Sequence, residues 1–133
     1  MFIDRLLNSG NAPLLAQSMR FMQARQQLLM QNVANISTPN YQQKDLSLAQ
    51  FQQMLRDQVS ARDSAGPGLV KFDGVMPEES GDMGSLIFHD GNNRSMEQLM
   101  ADGAKNAMLH NFTVELLRKQ FGSIDMALKE RVT

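Results

Sequence analysis

SMEQLMADGAKNAMLHNFTVELLRKQFGSIDMALKERVT (residues 95–133) decides how the chain folds. Within it Met96, Met100, Gly103, Ala107, His110, Val114, Leu117, Phe121, Ile124 and Leu128 follow one another at alternating steps of four and three. Each step returns to one side of a helix with about 3.5 residues per turn, which is the seam of a coiled coil. Ser95-Met-Glu-Gln98 has the form of a capping box, and Glu97 suits the positive end of the helix dipole. Lys129 and Arg131 suit the negative end. The pattern predicts one helix over 94–133, about 50 Å long at about 1.5 Å per residue. Gly103 costs roughly 1 kcal/mol there relative to alanine. On the seam it would serve a close backbone approach or mark local flexibility. A stripe this long on a chain this small requires a partner helix.

Residues 12–36 supply that partner. Leu15, Met19, Met22, Gln26, Leu29, Val33 and Ile36 repeat the same steps, with only Gln26 polar. A second row, Leu14, Phe21 and Leu28, runs beside it, so this helix can touch more than one neighbour. Pro13 fits a first helical turn, where its missing N–H does no harm. Pro39 disfavours a helical Thr38 and stops the helix near Asn35. The expected fold is mainly α, with long N- and C-terminal helices pairing as a coiled coil around an irregular or small β middle segment.

The rest of the chain divides on local signals. Asn8-Ser-Gly-Asn11 is turn chemistry, so residues 1–11 read as a flexible tail. Residues 37–59 hold a turn and a short helix, opened by Ser47-Leu-Ala-Gln50 and faced by Leu48, Phe51 and Leu55. Residues 60–93 concentrate Gly66, Pro67, Gly68, Gly74, Pro77, Gly81, Gly84 and Gly91. That is too long for a simple helix–helix connection. Leu86-Ile87-Phe88 could pair with Val70 and Phe72 as a hairpin; partial disorder is the alternative, because a lone hairpin is marginal in water.

Composition narrows the function classes. With 133 residues the chain has room for one domain. Tryptophan is absent, Tyr41 is the single tyrosine, and there are 11 methionines. Such a core is either simply soft or suited to packing in several slightly different surroundings. The net charge is −1 and the cations are scattered apart from Arg118-Lys119, which disfavours nucleic acid. Asp73, Glu78, Glu79 and Asp82 read as a solvated surface. No cysteine is present, so thiolate and disulfide chemistry are excluded. The N-terminus lacks the form of a secretory signal peptide, and no apolar run approaches the ~20 residues of a membrane span. These features predict a cytoplasmic protein or one exported without a cleavable signal.

Templates for catalysis and metal binding fail. Neither His89 nor His110 lies in an HExxH pattern, and there is no Walker loop or GxGxxG. Counted from Asp90 as an EF-hand loop, the sixth position is Ser95 and the twelfth Ala101 instead of Gly and Glu. Asp90-Gly-Asn-Asn93 therefore reads as a turn feeding the helix cap. His110 is either a structural histidine in the seam or a pH switch. Asn35-Ile-Ser, Asn93-Arg-Ser and Asn111-Phe-Thr match a glycosylation triplet by chance. The polar residues of the first helix are mainly Gln, Asn and Ser, unlike a basic membrane-surface helix. The expectation is a non-enzyme with no catalytic, cofactor-binding or metal-ligating residues and no small-molecule substrate.

Ala34-Asn35-Ile36-Ser37-Thr38-Pro39-Asn40-Tyr41 resembles the ANxxTPGY signature that follows the first helix in the bacterial flagellar rod and hook family. Lys44-Asp45-Leu46 with Phe51, Asp90-Gly91-Asn92-Asn93, Glu97 with Met100, Ala104-Lys105-Asn106, Leu116-Leu117 and Gln120-Phe121 extend the likeness to the proximal-rod branch of that family. It covers roughly residues 12–55 and 88–128. Asn40 stands where the family usually has glycine, and Arg94-Ser95 also departs from its usual sequence. Asparagine tolerates the left-handed conformation better than most residues, so the turn is expected to survive.

The resemblance implies terminal helices that pair and stack into a helical tube, and type III export without a cleaved signal. It implies a place in the periplasmic rod of the basal body. The implied partners are other rod proteins, the FliE adaptor, export-gate proteins and further copies of the chain. The family turn would rest on Ala34, Asn35, Thr38, Pro39 and Tyr41. Assembly would rest on the stripes Leu15, Met19, Met22, Leu29, Val33 and Ile36, and Met100, Ala107, Val114, Leu117, Phe121, Ile124 and Leu128. A cytoplasmic helical adaptor or export chaperone would carry the same seams.

Overall fold

The computed structural model describes residues 8, 10–66, 69–81 and 95–130. Helix α1 spans Ala12–Ala34, strand β1 Lys44–Leu46, helix α2 Leu48–Ala65, strand β2 Glu79–Gly81 and helix α3 Met96–Glu130. The fold is mainly helical, with long terminal helices in contact and a small two-stranded sheet between them in sequence.

Local chemistry explains the ends. Pro13 occupies the first turn of α1, and Asn35 caps its last turn, its backbone N–H donating to the Gln31 carbonyl at 3.1 Å. The Ser47 hydroxyl accepts from the Gln50 N–H at 3.2 Å and opens α2. Ser95 does the same for Gln98 at 3.2 Å and opens α3. Each of these bonds satisfies a backbone donor that the helix leaves unpaired.

Helices α1 and α3 run antiparallel. Met22 lies against Asn106 and Thr113, Gln26 lies near Gly103, and Gly10 lies near Gln120. The apolar core sits on the other flank of α1. There Phe21, Met22, Leu28, Leu46, Phe51 and Val75 form one buried cluster. The Phe21 and Phe51 rings stack with centroids 4.0 Å apart and planes 3° from parallel, which holds α2 onto α1. Burying each such side chain stabilises the fold by about 1.5–3 kcal/mol.

The middle of the chain differs from its sequence reading. Helix α2 continues beyond 59 to Ala65, where the Gly66 N–H donates to the Arg62 carbonyl at 2.9 Å. Its polar sequence is anchored by Phe51, and Arg62 near its end donates to the Gly10 carbonyl at 2.8 Å and lies over the Phe72 ring at 5.9 Å. Residues 69–81 are packed against the helices: Phe72 and Val75 are both 3% exposed. Gln17 Nε2 donates to the Val75 carbonyl at 2.9 Å and fixes that segment to α1.

Val70 and Phe72 belong to no strand; the sheet pairs β1 with β2 antiparallel, Lys44 opposite Gly81 and Leu46 opposite Glu79. Leu46 is buried while all of β2 is exposed, so the ribbon covers the core on one side only. The expected strand at Leu86-Ile87-Phe88, the turn at Asp90–Asn93, Asp82 and His89 lie outside the described residues, as do 1–7 of the expected tail.

A candidate assembly surface

The turn after α1 is closed by its own side chains. The Thr38 N–H donates to the Asn35 carbonyl at 3.0 Å, the Tyr41 N–H to the Thr38 carbonyl at 3.3 Å, and the Thr38 hydroxyl reaches Asn35 Oδ1 at 3.4 Å. Asn35 Nδ2 donates back to the Gln31 carbonyl at 2.9 Å. Ala34 ends the helix, Pro39 is exposed, and Tyr41 is half-buried beside Leu28 and Pro77. Asn40 adopts φ 59°, the one positive φ at a non-glycine residue among those described. Asparagine is suited to that conformation, so the turn forms without the glycine.

Two further contacts brace this turn, and neither stands out in the sequence. Asn32, 1% exposed, donates through Nδ2 to the Lys44 carbonyl at 2.7 Å and accepts the Lys44 N–H at Oδ1, 3.1 Å. It thereby acts as a strand neighbour to β1. Arg25 grips Asp45 with both arms, Nε to Oδ1 at 2.9 Å and Nη2 to Oδ2 at 3.0 Å. The hydrogen bond to Asp45 raises the Arg25 pKa above the usual guanidinium value, and attraction to Asp102 adds to it against the opposing effect of burial. Asp45 Oδ1 also accepts the Leu46 N–H at 2.7 Å.

Along α1 the expected stripes are largely turned inward. Met22, Leu29, Phe21 and Leu28 are buried, and Leu14, Leu15, Met19, Val33 and Ile36 are half-buried. Polar Gln17, Ser18 and Asn32 are buried with them. The Ser18 hydroxyl is absorbed by the Leu14 carbonyl at 2.9 Å.

Along α3 the seam lies one residue earlier than the apolar pattern suggests. The buried residues are Leu99, Asn106 and Thr113, spaced by sevens. Their neighbours on the expected stripe face outward: Met100 is 62% exposed, Phe121 47% and Leu128 50%. Ala107 is exposed, Val114, Leu117 and Ile124 are half-buried, and so are Gly103 and His110.

Hydrogen bonding explains the offset. Asn106 Nδ2 donates to the Met22 carbonyl at 2.8 Å and to Gln26 Oε1 at 2.9 Å, and the Thr113 hydroxyl donates to the Leu109 carbonyl at 2.8 Å. Polar groups with partners can be buried, and here they leave the apolar row outside. Asn106 Oδ1 meets no donor among the described residues. A Cβ on Gly103 would meet Gln26 Nε2 at 4.0 Å, an ordinary contact, so no close backbone approach requires the glycine.

The offset opens a groove of about 440 Å³ between α1 and α3, walled by Met22, Gln26, Met30, Ala107 and His110. On the other flank of the pair, α2 contributes Val59 and Arg62 beside Leu14, Leu15 and Leu116. The groove side has no such third element among the described residues. Acidic residues expected at the surface are there: Asp73 pairs with Arg20 at 3.2 Å and Glu79 with Lys44 at 3.7 Å. Such exposed pairs contribute little. No group of three or more His, Cys, Asp and Glu among the described residues is placed to hold a metal ion, and no described helix is long and apolar enough to cross a membrane.

A scan against protein-family models finds no match for the chain, and a search of curated proteins finds none either.

Proposed function

We propose that the chain is a structural subunit of the bacterial flagellar basal-body rod, similar to the proximal rod protein FlgB. The supporting observation is the outward apolar row on α3, with Met100 at 62%, Phe121 at 47% and Leu128 at 50% exposure on a helix already paired with α1. An apolar row of this length leaves a packing surface that a lone subunit does not use. The closed turn at Asn35–Tyr41, with Asn40 at φ 59°, is consistent with the signature it resembles.

In this reading the protein is not an enzyme and carries no cofactor. It is exported unfolded by the flagellar type III route without a cleavable signal, and it assembles in the periplasmic rod. Its partners are other copies, other rod proteins, the FliE adaptor and export-gate proteins, and motility depends on its incorporation. Leu117→Asp or Val33→Asp places a charge in a half-buried packing row, which is costly. Either change is expected to block incorporation and swarming; normal motility in both mutants would refute the proposal. A chain that binds flagellar proteins yet stays in the cytoplasm would instead be an adaptor or export chaperone.

A further inference from the structure

Three Asp-Gly pairs occur in the chain, Asp73-Gly74, Asp90-Gly91 and Asp102-Gly103. Asp90-Gly91 lies outside the described residues; the other two sit in opposite surroundings. Asp102-Gly103 lies inside α3, where the helix ladder engages the Gly103 N–H. Asp73-Gly74 forms the tip of a turn, closed by the Val75 N–H donating to the Phe72 carbonyl at 3.3 Å. Gly74 has φ 84°, the positive value that the third residue of a type II turn adopts. Its N–H makes no hydrogen bond among the described residues. A Cβ at Gly74 would meet nothing within 4 Å. The Asp73 side chain is 77% exposed, with Arg20 Nη1 at 3.2 Å from its Oδ1.

We propose that Asp73-Gly74 is a site of spontaneous aspartate isomerisation, and that isomerisation unseats the segment 69–81 from the helices. The same turn is present whether the chain works in a rod or elsewhere.

The chemistry needs no second molecule but water. The Gly74 nitrogen attacks Asp73 Cγ, an N–Cγ bond forms, and the amide proton and the carboxyl hydroxyl leave together as water. The product is a five-membered succinimide. Water then adds back. Cleavage of the N–Cγ bond restores aspartate. Cleavage between that nitrogen and the Asp73 backbone carbonyl carbon leaves isoaspartate, in which the chain runs through the former side chain. The backbone gains one carbon and the α-carboxylate is free. Gly74 favours the first step in two ways: no side chain shields its nitrogen, and no hydrogen bond holds its N–H. At Gly103 the same step requires α3 to open first, which keeps it rare.

The added carbon falls between two buried side chains. Phe72 and Val75 are each 3% exposed, and the Val75 carbonyl accepts from Gln17 Nε2 at 2.9 Å. A close-packed interior registers a shift of one methylene, so Phe72 and Val75 cannot both keep their places.

Incubation in heavy-oxygen water near neutral pH reads the reaction, because every succinimide that reopens takes up a heavy oxygen. Cleavage after Lys71 and Glu78 isolates residues 72–78 for mass spectrometry, apart from Asp90. A second digest after Arg94 and Lys105 isolates 95–105, which contains Asp102. Label and isoaspartate should accumulate at Asp73 at least about tenfold faster than at Asp102. In urea the two sites should label at similar rates, because no helix then protects Asp102. Aged wild type should unfold at lower urea in proportion to its isoaspartate at residue 73. Asp73→Glu, which cannot close the five-membered ring, should age without that loss. No label at Asp73 in the folded chain, or equal labelling of Asp73 and Asp102 there, would overturn the proposal. So would isoaspartate at residue 73 without loss of stability, or an equal loss in Asp73→Glu.

Discussion

Asn32 binds Lys44 as one strand binds another: Nδ2 donates to the Lys44 carbonyl at 2.7 Å, and Oδ1 accepts the Lys44 N–H at 3.1 Å. This single side chain aligns the end of α1 with β1 and sets where the turn between them must close. Asn32→Ala is expected to destabilise the fold by about 1–3 kcal/mol, since the Lys44 N–H and carbonyl both lose a part-buried hydrogen bond. Asn32→Asp should cost a comparable amount, because a carboxylate would face the Lys44 carbonyl. Urea unfolding checks both, and wild-type stability in either variant would contradict this role.

Leu99 and Met100 are adjacent in sequence and opposite in environment, at 1% and 62% exposure. Leu99→Ala is expected to cost about 2–5 kcal/mol, as deletion of a fully buried leucine usually does. Met100→Ala should change monomer stability by no more than about 0.5 kcal/mol. Thermal or urea melts of the two variants locate the seam. Equal losses would return it to the row containing Met100.

Gly103 has room for a methyl group, its nearest neighbour being Gln26 Nε2 at 4.0 Å. Gly103→Ala should therefore stabilise the protein by about 0.5–1 kcal/mol through helix propensity. A destabilised alanine variant would show that the helices approach more closely than this geometry allows.

Arg25 and Asp45 are joined by two hydrogen bonds, with side chains 13% and 15% exposed. Arg25→Lys should lose several-fold in the folded-to-unfolded ratio, because an ammonium cannot reproduce the planar two-point contact. Arg25→Met removes the cation held against the largely buried Asp45 carboxylate and should cost about 3 kcal/mol. The folded-state pKa of Arg25 is raised, so its stabilisation is fully present below the unfolded value and is lost only as pH rises through the folded one. That window lies above the ordinary guanidinium range, so the Arg25 contribution should be flat between pH 7 and 10. A difference between wild type and Arg25→Met that shrinks over that range would contradict the assignment.

The helical class and the pairing of the two ends were legible because apolar spacing and caps agree at both. Asn35, Ser47, Ser95 and Pro13 all act at the positions their chemistry suggests. The α3 seam lies one residue from its apolar row because apolarity alone does not decide burial. Asn106 and Thr113 are buried by virtue of specific hydrogen bonds to α1 and within α3, which spacing does not reveal. Asn32 was hidden for the same reason. The reach of α2 to Ala65 was missed because it rests on Arg62 meeting Gly10 and Phe72, contacts distant in sequence. The β1–β2 pairing likewise joins two three-residue segments that carry no strand pattern of their own.

The most direct measurement is the composition of the rod. Basal bodies are purified from the source cells, stripped of filaments, and this chain is quantified by mass spectrometry against the other rod proteins. The account predicts enrichment at a fixed ratio to them, in wild type and not in Leu117→Asp. A chain absent from basal bodies and soluble in the cytoplasm would contradict it.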